Sequence, residues 1–178
     1  MKHIRVLNYK YTGKWLNWSI SIWTGLFNKG TPPYSHSEIW FHREDRFKSK
    51  VDETVFTGEC FTSTMRGDVN GTVLRSAYMV VKHPERWEYF EISVEDNVYD
   101  QVYTKAKTAA LANEGYDKPA LLSFFFPVRF GSGVKDICSE VTYRALCWAG
   151  IFKKPAMPSP RRQARWLMDL GYEIHQLA

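Results

Sequence analysis

A cysteine at the start of a predicted helix is the side chain in this sequence best placed for chemistry. Apolar residues recur at helical spacing from Ile137 to Trp148, and Gly150 is a usual C-terminal stop, so the pattern predicts a helix that opens at Cys138. Free backbone N–H groups and the positive end of the helix dipole would stabilise a thiolate there and lower the pKa of the thiol. Most lone cysteines are instead buried as small apolar side chains, so the position alone leaves both interpretations open.

A catalytic cysteine needs a base within hydrogen-bond reach and a third group that orients the base. His36 is the best candidate base, because it lies in a predicted strand between the small residues Ser35 and Ser37. The other histidines lie near the termini or in loop segments. We therefore expect His36 to be the partner of Cys138.

Two carboxylates could orient this histidine. Glu38 shares the strand face of His36 but lies two residues along the same strand, about 6.5 Å away at Cα. Glu59 lies on the next predicted strand, where directly opposed residues are about 5 Å apart. Spacing therefore favours Glu59 over Glu38, although each could also be an ordinary surface charge.

The composition indicates one globular domain over residues 1–178, with 44% hydrophobic and 24% charged residues. The net charge is +5, but Lys and Arg are scattered and accompany no nucleic-acid motif, so we expect no nucleic-acid partner. The N-terminal segment lacks the apolar core of a signal peptide, and no apolar run approaches the ~20 residues that span a bilayer. These features predict a cytoplasmic protein without a transmembrane segment.

The cysteine pattern points to a reduced setting and to no metal. Cys60, Cys138 and Cys147 are an odd number and follow no disulfide pattern. Cys60 is expected to point away from the face of Glu59 and into the core, and Cys147 is also expected to be a core residue. A zinc site built from His36, Cys60 and Cys138 would match no finger or ribbon spacing, so we expect no metal or cofactor.

The predicted strands cluster between residues 34 and 94, and predicted helices flank them. This grouping favours an α+β fold with an antiparallel sheet over alternating βαβ units. The predicted strands are 3–7, 34–41, 54–61, 72–82, 87–94 and 172–175, and the predicted helices are 14–27, 95–114, 138–149 and 160–170. The segment 121–126 is apolar, and its periodicity does not distinguish helix from strand.

Four short motifs follow one another along the chain: Tyr34-Ser35-His36 on a strand, Gly58-Glu59 on the next, Tyr116-Asp117, and Cys138-Ser139-Glu140-Val141 opening a helix. Their order resembles that of the permuted papain-like hydrolases of the YiiX type. These are relatives of the NlpC-type cell-wall peptidases in which the histidine strands precede the cysteine helix. The resemblance covers about residues 14–170 and implies a circularly permuted papain-like fold, with the sheet packed against helices that include the nucleophile helix.

The resemblance also implies a role for each candidate residue. Cys138 would be the nucleophile, His36 the general base and Glu59 the polar third member. Tyr116 matches a tyrosine that lines the catalytic centre and could assist the oxyanion site. Glu38 is a departure from the family pattern, and it could bind substrate or replace Glu59.

The reaction implied is acyl transfer through a thioester, in which the helix start also supplies a backbone donor for the oxyanion. The first expectation is a cysteine peptidase or amidase that acts on a cell-wall peptide or a related small amide. A thiol-dependent lipid acyltransferase or ester hydrolase is the alternative, because relatives include the lecithin–retinol acyltransferase type. A non-catalytic binding module is the third possibility, and intact Cys138, His36 and Glu59 argue against it.

Overall fold

The computed structural model describes residues 1–10, 32–42, 56–65, 68–113, 115–120, 136–154 and 156–177. The expected helix over 14–27 and the apolar segment over 121–126 lie outside the described residues. The described residues form an antiparallel sheet with several helices, so the expected α+β class is confirmed.

The strands are β1 (Lys2–Lys10), β2 (Tyr34–Phe41), β3 (Glu59–Thr64), β4 (Gly71–Ser76), β5 (Trp87–Val94) and β6 (His175–Gln176). They form one six-stranded antiparallel sheet in the order β4-β3-β2-β1-β5-β6. The bounds of β2 and β5 agree with the sequence prediction, because both segments are rich in the aromatic and β-branched residues that favour strands. The histidine strand β2 therefore lies inside the sheet, next to β1 and β3.

Four predicted strands differ from the observed ones. β1 covers Lys2–Lys10 and is longer at both ends than the predicted 3–7. β3 begins at Glu59 because Gly58 has a φ of 94°, a left-handed conformation that interrupts an extended chain. β4 ends at Ser76, and the following residues, Ala77–Val80, form a short helix, α1, instead of continuing the strand. The last strand begins only at His175.

Three longer helices complete the described elements: α2 (Asp96–Ala112), α3 (Cys138–Trp148) and α4 (Pro160–Asp169). Their bounds agree with the predicted helices to within two residues at each end. In α4, Ser159 caps the helix by accepting a hydrogen bond from the Arg162 N–H at 3.2 Å, and Pro160 occupies the first turn. Helix α3, which begins at Cys138, packs against β2 and β3.

Helices α2, α3 and α4 cover one face of the sheet. The large side chains that the strands contribute to this core include Ile39, Phe41, Phe61 and Phe90, all fully buried. Each such side chain contributes about 1.5–3 kcal/mol when it leaves water. This core holds α3 against the sheet and so fixes where the first turn of α3 lies relative to β2 and β3.

The opposite face of the sheet has a smaller core, formed by Leu7, Trp40, Cys60, Trp87 and Leu177 with neighbouring side chains. Cys60 is fully buried there, as expected from its strand position. Within the described part of the chain, the helices are too short or too polar to span a lipid bilayer.

The ladder between β2 and β3 is short. Where the ladder stops, side chains of β3 bind the segment that leads into α3. The register of the ladder covers Ile39–Phe61, Trp40–Cys60 and Phe41–Glu59. Beyond these pairs, Thr62 Oγ1 donates to the carbonyl of Ser37 at 3.2 Å, and Ser63 Oγ donates to the carbonyl of Asp136 at 2.9 Å. Side chains of β3 therefore hold both β2 and the segment that leads into α3.

We expect Phe90→Ala to lower the free energy of unfolding by about 3–5 kcal/mol, because it leaves a cavity in the helix-facing core. Urea unfolding followed by circular dichroism measures this change. Leu111→Ala is the matched control, because Leu111 is 79% exposed and its truncation should change stability by less than about 0.5 kcal/mol. Equal losses in the two variants would contradict the assigned core.

Candidate active site

Cys138 is the first residue of α3, and its side chain lies among backbone donors. Ile137, which precedes the helix, makes no side-chain capping hydrogen bond. The backbone N–H groups of Ser37 and Ser139 donate to the Cys138 sulfur, and Thr142 Oγ1 donates to the Cys138 carbonyl at 2.8 Å. The sulfur therefore occupies the positive end of the helix dipole, where a thiolate is favoured.

His36 connects the thiol to a carboxylate. Its side chain is hydrogen bonded to Cys138, and its Nε2 lies 2.9 Å from Glu38 Oε1. Because Nε2 faces the carboxylate, we infer that Nδ1 faces the thiol. Thr62 Oγ1 lies 3.5 Å from Nε2, and Trp87 packs edge-on against the ring at a centroid distance of 6.4 Å. The imidazole is thus contacted on both nitrogens and along one edge.

Glu38 is a fully buried carboxylate between two possible cations. Its Oε1 accepts from His36 Nε2 and also from Arg75 Nη2, which lies 2.7 Å away. Arg75 reaches this oxygen from β4, and its side chain is 26% exposed. A buried carboxylate of this kind is costly unless such partners stabilise its charge.

The structure brings Glu38, and not Glu59, to His36. The register pairs Glu59 with Phe41, so Glu59 lies on the helix-facing side of the sheet, where its carboxylate accepts a hydrogen bond from the Tyr103 hydroxyl. The expectation from spacing assumed that Glu59 would lie directly opposite the histidine. The two-residue offset along β2 proves short enough for the side chains of His36 and Glu38 to meet.

The electrostatic balance of the site favours charged side chains. Burial raises the pKa of Cys138, but the charge and hydrogen bond of His36 and the two backbone donors outweigh burial, so this pKa lies below its ordinary value. Burial lowers the pKa of His36, but the charges and hydrogen bonds of Cys138 and Glu38 raise it above its ordinary value. Burial raises the pKa of Glu38, but His36 and then Arg75 lower it below its ordinary value. Each side chain thus stabilises the ionised form of the next.

Tyr116 lies beside the segment that enters α3. It forms a parallel bridge with Asp136, which precedes Cys138 by two residues, and the N–H of Asp117 donates to the Asp136 carbonyl at 3.1 Å. Arg144 binds the Asp136 carboxylate through both terminal nitrogens, at 2.6 and 3.0 Å. These contacts hold the backbone of Tyr116 beside the segment that leads into α3.

Cys147 is partly exposed and its sulfur contacts the Lys154 carbonyl at 3.8 Å, so the expectation of a core position is wrong. Cys147 stands on the solvent-facing flank of α3, near the loop that follows the helix. Among the described residues, no group of three or more His, Cys, Asp or Glu side chains is arranged to hold a metal ion.

Sequence reasoning missed three contributors to the site: the Ser37 N–H, Thr62 and Arg75. All three depend on which residues of β2, β3 and β4 lie side by side. Arg75 has a signal in the sequence only once the register is known, because it then lies on the same face as Glu38. The Ser37 donor carries no sequence signal, because every residue other than proline has a backbone N–H.

Comparisons with protein-family models, with curated proteins and with solved structures found no match to this chain. A function is therefore argued from the contacts among Cys138, His36, Glu38 and Arg75.

We expect Cys138 to react with iodoacetamide at a rate that stays constant as the pH falls through the range in which an ordinary thiol, of pKa about 8.5, becomes protonated. The rate should fall only near the lowered pKa of Cys138. In His36→Gln, loss of the neighbouring cation should raise the pKa of Cys138 and slow alkylation near pH 6.5 by roughly tenfold or more. Mass spectrometry of the Cys138 peptide measures both rates.

Cys147 is an internal control in the same samples, because burial raises its pKa and His36 is not among the causes. Its alkylation should require alkaline pH in both proteins. If Cys138 and Cys147 showed the same dependence on pH in the unmodified sequence, the ionised Cys138–His36 pair would be refuted.

Proposed function

We propose that this protein is a cysteine hydrolase, a peptidase or amidase that cleaves an amide bond through a thioester on Cys138. The observation that carries the proposal is the hydrogen-bonded series from the Cys138 thiol to His36 and on to the buried Glu38 carboxylate. A nucleophile, a base and a group that orients the base are the three parts of nucleophilic catalysis. Here Glu38 takes the third role that spacing had favoured for Glu59.

In the proposed reaction, His36 accepts the Cys138 proton, and the resulting thiolate attacks the carbonyl carbon of the substrate. The new C–S bond converts the carbonyl into an oxyanion, and collapse of this intermediate breaks the C–N bond. The imidazolium returns its proton to the departing amine. His36 then takes a proton from water, hydroxide attacks the thioester, and the acid product leaves as the Cys138 thiol is restored.

The helix start would also stabilise the oxyanion. A helix leaves its first N–H groups without intrahelical acceptors, and the N–H of Cys138 is the first of them in α3. We place the oxyanion near this N–H, with the Tyr116 hydroxyl as a candidate second donor. Support for Tyr116 comes from its bridge to Asp136 beside the entry to α3.

We further infer that the fold is a circularly permuted papain-like fold of the YiiX type. Support comes from the order of elements, since the histidine strand β2 precedes the cysteine helix α3, and from the packing of α3 on β2 and β3. By this resemblance the substrate is a peptide or small amide, and a cell-wall peptide is the first to test.

We expect Cys138→Ala to abolish acyl transfer, because the alanine side chain cannot form a thioester. With p-nitrophenyl acetate as a general acyl donor, the unmodified protein should release a burst of p-nitrophenolate equal to the number of active sites. Cys138→Ala should show no burst while its circular dichroism spectrum is retained. An equal burst in the variant would refute Cys138 as the nucleophile.

The same proteins can then be tested on peptidoglycan fragments and on lipid amides. Cleavage of the peptide fragments, dependent on Cys138, supports the peptidase and amidase assignment. Turnover of lipid amides alone would replace it with the lipid acyl-transfer class.

We expect Glu38→Gln to slow the p-nitrophenyl acetate reaction on the order of a hundred- to ten-thousandfold, because an amide in place of the orienting carboxylate favours the wrong tautomer of the histidine. The alkaline limb of the pH profile should move to lower pH, because the Glu38 anion helps to raise the pKa of His36. Glu59→Gln is the matched control, since Glu59 contacts Tyr103 on the other face. A larger loss in Glu59→Gln would reverse the assignment of the two carboxylates.

A further inference from the structure

We propose that Arg75 is a positioning residue of this site, which fixes the Glu38 carboxylate and, through it, the His36 ring from two strands away. The consequence for turnover rests on the proposed function, whereas the consequence for the ring of His36 does not. Arg75 is not expected to touch the substrate in this role. Arg75 acts by fixing the Glu38 carboxylate, which in turn orients His36.

The sheet register explains how Arg75 reaches the site. Trp40, Cys60 and Arg75 lie side by side on β2, β3 and β4, so they share one face of the sheet, and Glu38 lies on that face two residues before Trp40. The Arg75 side chain must cross the width of β3, because β4 and β2 are separated by roughly 9–10 Å, twice the spacing of adjacent strands. Cys60 is small enough to leave this path open, and Nη2 arrives 2.7 Å from Glu38 Oε1.

The hydrogen bonds of Glu38 make its orientation dependent on Arg75. One oxygen, Oε1, accepts from both His36 Nε2 and Arg75 Nη2. The other oxygen, Oε2, is buried and has no hydrogen-bond partner among the described residues. Among the described residues, only His36 and Arg75 therefore bind the Glu38 carboxylate. Because His36 is the ring that Glu38 must orient, Arg75 is the group that fixes the carboxylate. Without Arg75, the carboxylate and the ring would be free to rotate together.

Charge gives Arg75 a second effect on the same groups. His36 faces Cys138 from α3, Glu38 from its own strand and Tyr9 from β1, while Glu38 faces Cys60 from β3 and Arg75 from β4. With Cys138 and Glu38 as anions, and His36 and Arg75 as cations, the site is neutral. Removing a cation from such a site favours protonation of every neighbouring group.

Arg75→Met removes the cation and the hydrogen bond while keeping a long apolar stem. Both limbs of the pH profile of the p-nitrophenyl acetate burst should move upward by about one pH unit, because removing a positive charge favours the protonated form of both Cys138 and His36. The rate at the optimum should fall on the order of tenfold. Arg75→Lys, which keeps the charge, should leave the limbs close to their original positions.

Arg5→Met is the matched control, because it removes an arginine–carboxylate ion pair that does not include Glu38. Arg5 lies opposite Trp40 on β1, and therefore on the same sheet face as Arg75. It binds Glu91 at 2.7 Å, and its side chain is 21% exposed, close to the 26% of Arg75. Its loss should lower stability in a similar way but leave both limbs and the optimum rate in place.

The ring of His36 gives a readout that does not depend on turnover. In protein labelled with 15N-histidine, the His36 signals are identified by their absence in His36→Gln. We expect the Nε2–H proton to resonate downfield in the unmodified protein and in Arg5→Met, because Nε2–H donates a hydrogen bond to Glu38. In Arg75→Met this resonance should broaden or vanish, and the ring should titrate at higher pH. Arg75→Gln provides the same test if Arg75→Met does not fold.

A double variant tests whether Arg75 acts through Glu38. Once Glu38→Gln is present, adding Arg75→Met should change the burst rate by much less than its tenfold effect alone. Unchanged His36 resonances and titration in Arg75→Met would overturn the positioning role. Altered resonances in a protein that shows no acyl burst at all would uphold the positioning role and refute the proposed hydrolase.

Discussion

The Glu38 carboxylate is the constraint on which the site depends. It is fully buried, where an isolated anion would be too costly to keep, and its charge is stabilised because His36 and Arg75 bind the same oxygen. The anion in turn raises the pKa of His36, and the charged ring lowers the pKa of Cys138. A change at any member of this series therefore alters the protonation of the others.

The interrupted pairing of β2 with β3 makes room for this series. A strand interior normally uses its backbone donors and acceptors in the ladder. Past Ile39 and Phe61, the Ser37 N–H instead donates to the Cys138 sulfur, and its carbonyl accepts from Thr62. The Ser37 backbone therefore contacts the first turn of α3 in place of a ladder partner on β3. The first turn of a helix is where a thiolate is best stabilised.

The parts of the structure that depend on local sequence were predicted well, and those that depend on register were not. The start of α3 and the bounds of β2 follow from periodicity and composition within a few residues. The partner of His36 depends on which residue of β3 faces β2, and the observed pairing of Glu59 with Phe41 is set by distant packing. The contact between Arg75 and Glu38 is even harder to predict from sequence, because it also requires a small side chain at Cys60, between the two strands.

The two buried cysteines of this chain, Cys60 and Cys138, have pKa values that shift in opposite directions. Cys60 is fully buried and Cys138 is 5% exposed, so water is nearly excluded from both. Burial dominates at Cys60 and raises its pKa well above the ordinary value, as expected for a small core side chain. At Cys138, His36 and two backbone donors reverse the effect of burial and lower the pKa.

A purely structural role gives no reason for this reversal. Buried ion pairs are often no more stabilising than apolar side chains of similar size, and this site also leaves Glu38 Oε2 and Arg75 Nε without hydrogen-bond partners among the described residues. Apolar side chains in place of the whole series would serve stability at least as well. A thiolate held beside a histidine at a helix start is instead the arrangement that nucleophilic catalysis requires, and it is the basis of the acyl transfer that we propose.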